Sequence, residues 1–257
     1  MKENEEKSTD WVAVDWGSSN LRYWFISSNK LVHYGHKPLG MKHLTSGDYE
    51  KAIIEELDTF LDRGKKTDLL ICGMAGSKHG WSEAPYLNLP CKPPKLNEAI
   101  DIKCEDPRIS AKILPGLKQD SPPDVMRGEE TQIAGVLSGM IDFDGVICLP
   151  GTHTKWVRIS AGEVISFQTF ITGELFSLLS DSSVLRYSIS KQGWNRKAFL
   201  TGVNDALSDT KFFSASLFRI RAESLVNGKS PVDSRSRLSG LLIGLELAGS
   251  KSYWLGQ

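Results

Sequence analysis

What the sequence lacks narrows the field first. No stretch approaches the roughly 18–20 consecutive apolar residues of a membrane span. There is no excess of charge: 31 Lys and Arg balance 31 Asp and Glu, for a formal net charge of zero. A balanced chain with scattered basic residues has no field to collect nucleic acid or an acidic membrane. Cysteine is scarce, with four in 257 residues. Cys72, Cys91, Cys104 and Cys148 form no C-x-x-C pair and have no His at ligand spacing, which argues against structural zinc. The start, Met1–Lys7, is charged and carries no secretory hydrophobic segment. Unpaired thiols without an export signal favour the cytoplasm. Residues 1–10 read as a disordered lead-in.

What is present is a loop written twice. The apolar run Trp11-Val12-Ala13-Val14 ends in Asp15-Trp16-Gly17-Ser18-Ser19-Asn20, and a second apolar run follows at Leu21–Ile26. In the second half Val146-Ile147-Cys148-Leu149 ends in Pro150-Gly151-Thr152-His153-Thr154-Lys155, and Trp156–Ile159 follows. Each is a strand, a short loop rich in Gly and hydroxyls, and a strand. Two such loops in two similar halves suggest a grip on one polyanion, most simply the phosphates of a nucleotide. The apolar fraction of 40% is ordinary for a globular chain, and the length has room for one large domain or two small ones.

Periodicity predicts strands over 11–15, 21–27 and 30–36. It then predicts a helix from Asp48 to Arg63, with Ile53, Ile54, Leu57, Phe60 and Leu61 on one face. Thr45, Ser46 and Asp48 offer capping oxygens, and Gly64 fits a stop. Leu69–Cys72 reads as a buried central strand. Residues 80–125, rich in Pro, read as loops and short elements covering one end of the sheet. A helix starts near Gly128, with Glu129 and Glu130 where the dipole favours acids. The second half repeats the order, with strands at 145–149, 155–160 and 163–170 and a helix at 172–179. Residues 184–237 look mainly helical. Leu238–Ala248 reads as a buried helix whose Gly240 and Gly244 permit close packing. No convincing counterpart of the 69–72 strand follows, so the second sheet is expected to be incomplete.

Each candidate site has a plainer reading beside it. In the first loop, Asp15 supplies a carboxylate for Mg²⁺, and Gly17, Ser18, Ser19 and Asn20 supply donors for phosphate. The alternative is a tight hairpin with Asp15 and Asn20 making turn bonds. In the second loop, Gly151, Thr152, His153, Thr154 and Lys155 form a phosphate cradle or simply a polar turn. After the central strand, Gly73, Gly76, Ser77 and Trp81 lie where open α/β sheets bind ligands, or in an ordinary Gly-rich connection. Arg127 could hold an anionic substrate through a forked contact and Glu129 could take a proton from an attacking hydroxyl. The alternative is helix capping plus a surface ion pair. For Thr172-Gly173-Glu174 the favoured reading is capping.

Together these stretches resemble the 2-dehydro-3-deoxygalactonokinase family. The resemblance is carried by AVDWGSSNLR (13–22), GMAGSKHGWSEAPYL (73–87), PDVMRGEETQ (123–132), LPGTHTKWV (149–157), TGELF (172–176) and LSGLLIGLELA (238–248). It implies an α/β fold of two duplicated actin-like ATPase (ribonuclease H-like) domains with mixed sheets. Residues 11–143 would form a sugar-acid and phosphate domain, and 144–257 a nucleotide domain incomplete at its C-terminus. It implies ATP and Mg²⁺, and phosphorylation of 2-dehydro-3-deoxy-D-galactonate to its 6-phosphate in sugar-acid catabolism. By resemblance Asp15 meets the metal, the two loops meet phosphates, and Glu129 looks like the base of related phosphatases. The partner is a small sugar acid, with no nucleic acid and no membrane, and a homo-oligomer stays open. Family members continue beyond LSGLLIGLELA with an adenosine-binding segment. The expectation is therefore weak ATP binding and uncovered apolar surface at Leu241, Leu242, Ile243 and Leu245. Two rivals remain: a pseudo-kinase that does not turn over, and a phosphatase of nucleotide or polyphosphate.

Overall fold

The computed structural model describes residues 9–62, 64–140 and 142–256. The expected lead-in falls outside them up to residue 8. Thr9 is buried, and the Asp10 N–H donates to Ile26 O at 2.8 Å, so these two residues belong to the folded part. The chain divides into two compact units. One runs to Phe143 and includes Ser160–Ile165. The other is made of Asp144–Ile159 and the residues from Ser166 on. No helix among the described residues is long and apolar enough to cross a membrane.

In the first unit, β1 (Trp11–Trp16), β2 (Leu21–Ser27) and β3 (Lys30–Lys37) are followed by α1 (Tyr49–Leu57) and β4 (Thr67–Gly73). Further on come β5 (Tyr86–Asn88), β6 (Ile100–Ile102), β7 (Ile109–Ile113), β8 (Gly116–Asp120), β9 (Pro123–Met126) and α2 (Glu129–Gly139). Among the described residues the main sheet has the order β3-β2-β1-β4-β7-β6. β1 pairs antiparallel with β2 and parallel with β4, and β4 pairs parallel with β7. The period of two sends Val12, Val14 and Trp16 to one face, with Leu69, Ile71, Ile109 and Ile113 beside them. There they meet Tyr49, Ile53 and Leu57 of α1 in a single buried cluster.

Two expectations change here. α1 stops at Leu57 and a 3₁₀ turn, Asp58–Phe60, follows. The turn brings Phe60 onto Phe25 at a ring distance of 4.3 Å, a contact that competes with continuing the helix; Arg63 lies outside the described residues. Asp48 accepts from the Thr45 N–H and hydroxyl at 2.8 and 2.6 Å and caps no helix N–H. The region 80–125 is richer in strand than its prolines suggest. β6 and β7 widen the main sheet, and β5, β8 and β9 form a small sheet of their own. The prolines sit between or at the ends of these strands, where a missing N–H costs little.

β10 (Gly145–Leu149), β11 (Thr154–Ser160) and β12 (Glu163–Phe170), in the order β10-β11-β12, belong to the second unit except for Ser160 and Glu163–Ile165. Then come α3 (Thr172–Asp181), α4 (Arg196–Ser208), α5 (Phe213–Val226), α6 (Pro231–Gly249) and α7 (Lys251–Trp254). α4 and α6 touch backbone to backbone. A Cβ on Gly240 would lie 2.1 Å from Phe199 O, one on Gly244 2.5 Å from Val203 O, and one on Gly202 2.5 Å from Arg237 O. The close packing read from Gly240 and Gly244 is therefore the seam of this pair. Most of the apolar surface expected to be uncovered on α6 is covered, while Ile243 is only partly buried and lines a cavity. Leu241 and Leu242 are buried, and Leu245 packs against their cluster. Helices α3, α4 and α5 contribute to that cluster and supply the cover.

Candidate active site

The first site forms where parallel strands β1 and β4 end, the edge at which such sheets collect ligands. Asp15 stands opposite Cys72 and Trp16 opposite Gly73. Gly73 has φ +90°, and a Cβ there would be 2.6 Å from Trp16 O and 3.3 Å from Asp15 Oδ1. A Cβ on Gly128 would in turn lie 3.3 Å from Gly73 Cα. Missing side chains thus let the start of α2 come up against the carboxyl end of β1. Asp15 accepts from Arg22 Nη1 at 3.0 Å across the β1–β2 hairpin. Burial raises its pKa above the usual carboxylate value, Arg22 opposes the rise, and the negative charge of Glu129 adds to it. Burial, then the charges of Asp15 and Glu130, also push the Cys72 thiol upward. Acidic charge is therefore concentrated at this point.

The α2 start divides its two acids. Glu129 is partly exposed, and its Oε2 accepts the Arg127 N–H at 3.1 Å. Glu130 is fully buried and accepts the Gly128 N–H on both oxygens, at 2.8 and 2.7 Å. Burial pushes its pKa up to about 8. Only Glu129 can meet a ligand. Arg127 departs from expectation: it is buried and makes no surface ion pair. Its guanidinium lies 4.2 Å from the Tyr86 ring centre, and Nη2 donates to Ala84 O at 2.8 Å. Nη1 is enclosed without a hydrogen-bond partner, and a Cβ on Gly76 would come within 2.8 Å of it. Gly76 is needed to admit Arg127. The two brace the loop after β4.

The first loop is closed by the Gly17 N–H donating to Asn20 O at 2.8 Å. That donor is spent on the turn and is not left for an anion. Asn20 Oδ1 pairs with His36 Nε2 at 3.1 Å. The segment Gly40–Lys42 supports the loop from behind. Met41 N–H reaches Gly17 O and Lys42 N–H reaches Ser18 O, both at 3.1 Å, and a Cβ on Gly40 would be 2.3 Å from Ser19 N. Gly40 was not singled out by sequence, since a lone Gly outside a motif carries no signal of a contact made far along the chain. Ser77 joins the same knot, donating to Met41 Sδ at 3.2 Å. Trp81 packs edge-on to Trp16 and stacks with Tyr49, at ring distances of 6.3 and 6.2 Å.

In the second unit the loop is shorter than expected. Thr154 and Lys155 already lie in β11 and are buried, while Gly151, Thr152 and His153 are exposed. Lys155 Nζ points back to His153 O at 3.4 Å. The loop leans on the first turn of α3: the Glu174 N–H donates to Thr152 O at 3.0 Å, and the Glu174 carboxylate pairs with His153 Nε2 at 2.6 Å. Thr172 is not a cap. Its hydroxyl turns instead to Glu246 on α6, a residue whose signal in the sequence was a lone acid inside an apolar helix. A cavity of about 480 Å³ beside the loop is walled by Pro150, Gly151, Trp156, Phe176, Ile243 and Glu246, among others.

The family model for 2-keto-3-deoxy-galactonokinase matches residues 15–257. A probable 2-dehydro-3-deoxygalactonokinase of Rhizobium meliloti is 35% identical over 247 residues, covering 93% of this chain and 80% of the relative. The 2-dehydro-3-deoxygalactonokinase of Escherichia coli is 35% identical over 246 residues, covering 95% and 81%. A crystal structure solved as a candidate 2-dehydro-3-deoxygalactonokinase from Sinorhizobium meliloti superposes with a TM-score of 0.87 at 34% identity, covering 93% of this chain and 80% of that one.

Proposed function

The chain belongs to the 2-keto-3-deoxy-galactonokinase family, and from that premise we propose that it transfers the γ-phosphoryl group of ATP to the terminal hydroxyl of 2-dehydro-3-deoxy-D-galactonate. The single observation that carries the assignment of roles is the close approach of Gly128, at the start of α2, to Gly73 beside Asp15, which places Glu129 near the carboxyl end of β1. Glu129 is partly exposed there, and its charge is felt by Asp15. The sugar hydroxyl attacks phosphorus in line. A new O–P bond forms, the bond to the leaving ADP breaks, and the hydroxyl proton passes to Glu129. Catalysis of this kind is mostly positioning and charge neutralisation.

Among the described residues no three His, Cys, Asp or Glu side chains converge as a metal cage. A single strand-end carboxylate with a second acid beside it suits Mg²⁺, which keeps water and phosphate oxygens as most of its ligands. Asp15 would hold the ion, which when bound draws negative charge from the phosphates. Ser18, Ser19 and Asn20 then orient the phosphoryl group, and the stitched loop of Gly73, Gly76, Ser77 and Trp81 faces the sugar acid. Arg127 serves that loop as a brace. In the second unit, Gly151, Thr152 and His153 take the nucleotide phosphates, and Thr154 and Lys155 anchor the loop to β11.

The test is a coupled assay of ADP release with MgATP and the sugar acid. Release that depends on both substrates, with a 6-phosphate product, is expected. Phosphate release without sugar acid would instead support a phosphatase, and sugar-acid binding without turnover a pseudo-kinase.

A further inference from the structure

We propose that Glu246 is a positioning residue for the second loop, setting where a polyphosphate is held. The inference takes its ligand from the kinase reading above and its substance from the geometry of the second unit. Glu246 is the one charged residue in the run Leu238–Ala248, and it is buried. Among the described residues no cation pairs with it. Each oxygen is held by a neutral donor instead: Oε1 accepts from the Trp156 indole at 3.0 Å, and Oε2 accepts from the Thr172 hydroxyl. A buried carboxylate without a cation is costly, and the two neutral donors are what hold this one in place.

The two donors are the two supports of the loop. Trp156 stands on β11 directly after the loop and faces Cys148 of β10 across the ladder. Thr172 is the first residue of α3. The next residue, Gly173, is pressed onto the loop so closely that a Cβ would lie 2.4 Å from Gly151 O and 2.9 Å from Thr152 Cα. Glu174 then holds Thr152 and His153 by the two bonds already described. One carboxylate thus fixes the strand on one side of the loop and the helix turn on the other. It is itself carried by α6, which cannot shift without breaking the glycine seam with α4. The loop inherits the stiffness of the helix pair through Glu246.

Thr172→Val is the sharpest test, because it deletes one hydroxyl and leaves the Trp156 bond. Affinity for inorganic triphosphate and for MgATP, measured by calorimetry, should weaken about tenfold, with KM for ATP rising alike while kcat and KM for the sugar acid move less than about twofold. Glu246→Gln should fall between wild type and Thr172→Val. Its amide oxygen can still accept from Trp156, while its N–H₂ can donate to the Thr172 oxygen. A merely structural role predicts a lower melting temperature and fewer active molecules, with both KM values unchanged. Triphosphate affinity unchanged in Thr172→Val overturns the proposal, as does a wild-type protein that binds no triphosphate. If Thr172→Val does not fold, unchanged affinity in Glu246→Gln overturns it, and weakened affinity upholds it. Wild-type binding of triphosphate without sugar-acid turnover would sink the kinase reading while leaving the role of Glu246 to stand on the binding data.

Discussion

Glu129 and Glu130 are neighbours in sequence and opposites in environment. The sequence marks both as acids at a helix start. Which of them is buried depends on Gly73 and Gly128 meeting, a contact between segments some fifty positions apart that no local pattern announces. Their substitutions should part accordingly. Glu129→Gln should lower kcat by on the order of 10²–10⁴-fold with little change in sugar-acid affinity. Asp15→Asn should abolish turnover at saturating Mg²⁺ while the circular dichroism spectrum stays unchanged. A fall of less than about threefold for Glu129→Gln, well short of a base's usual contribution, would remove it from the mechanism. Glu130 makes a pH prediction. Burial pushes its carboxyl up to about 8, against about 4.5 for an ordinary glutamate. Between those values the folded chain binds a proton that the unfolded chain has released, so stability falls as pH rises through the window. The loss should approach about 1.4 kcal/mol per pH unit within it. Glu130→Gln has no proton to lose, so its melting temperature relative to wild type should climb from pH 5 to pH 9. A constant difference would show that Glu130 is not the titrating group.

At the level of elements, periodicity was a good guide wherever one face of a segment is buried and the other is not. β1, β2 and β3 fall within a residue of their expected bounds for that reason. It failed where a side chain had a tertiary errand. Phe60 leaves the helix line to meet Phe25, and the strands between residues 80 and 125 were hidden behind prolines that lie between or at the ends of them. The glycines of α4 and α6 were half legible: Gly240 and Gly244 show the spacing of a seam, whereas Gly202, its partner on α4, has no such mark. Gly240→Ala should cost about 1–3 kcal/mol, because the new methyl group meets a carbonyl oxygen that belongs to the backbone of α4 and cannot rotate away. Urea denaturation checks this, and an unchanged midpoint would mean that the helices can slide apart freely.

For the molecule taken whole, the balance of charges matters more than any single pair. A chain with 31 positive and 31 negative side chains has little net repulsion between copies near neutrality. It also exposes Phe212, Phe218, Leu225 and Val226. Such a surface favours self-association when net charge is near zero. Light scattering should therefore show the most association near pH 7 and less at pH 9, and no dependence on pH would assign the association to apolar contact alone. The move to pH 9 carries a cost in stability through Glu130, so solubility and stability pull in opposite directions. Composition made the first half of that statement legible, and only the fold supplies the second. The bond between Trp156 and Glu246 has a use in this setting. Of the seven tryptophans, Trp16 and Trp254 donate their indole protons to carbonyl oxygens, and Trp156 donates to a carboxylate. An indole proton shared with a carboxylate resonates downfield of its fellows, so one peak in a proton–nitrogen spectrum of nitrogen-15-enriched protein reports on the second loop in solution without turnover.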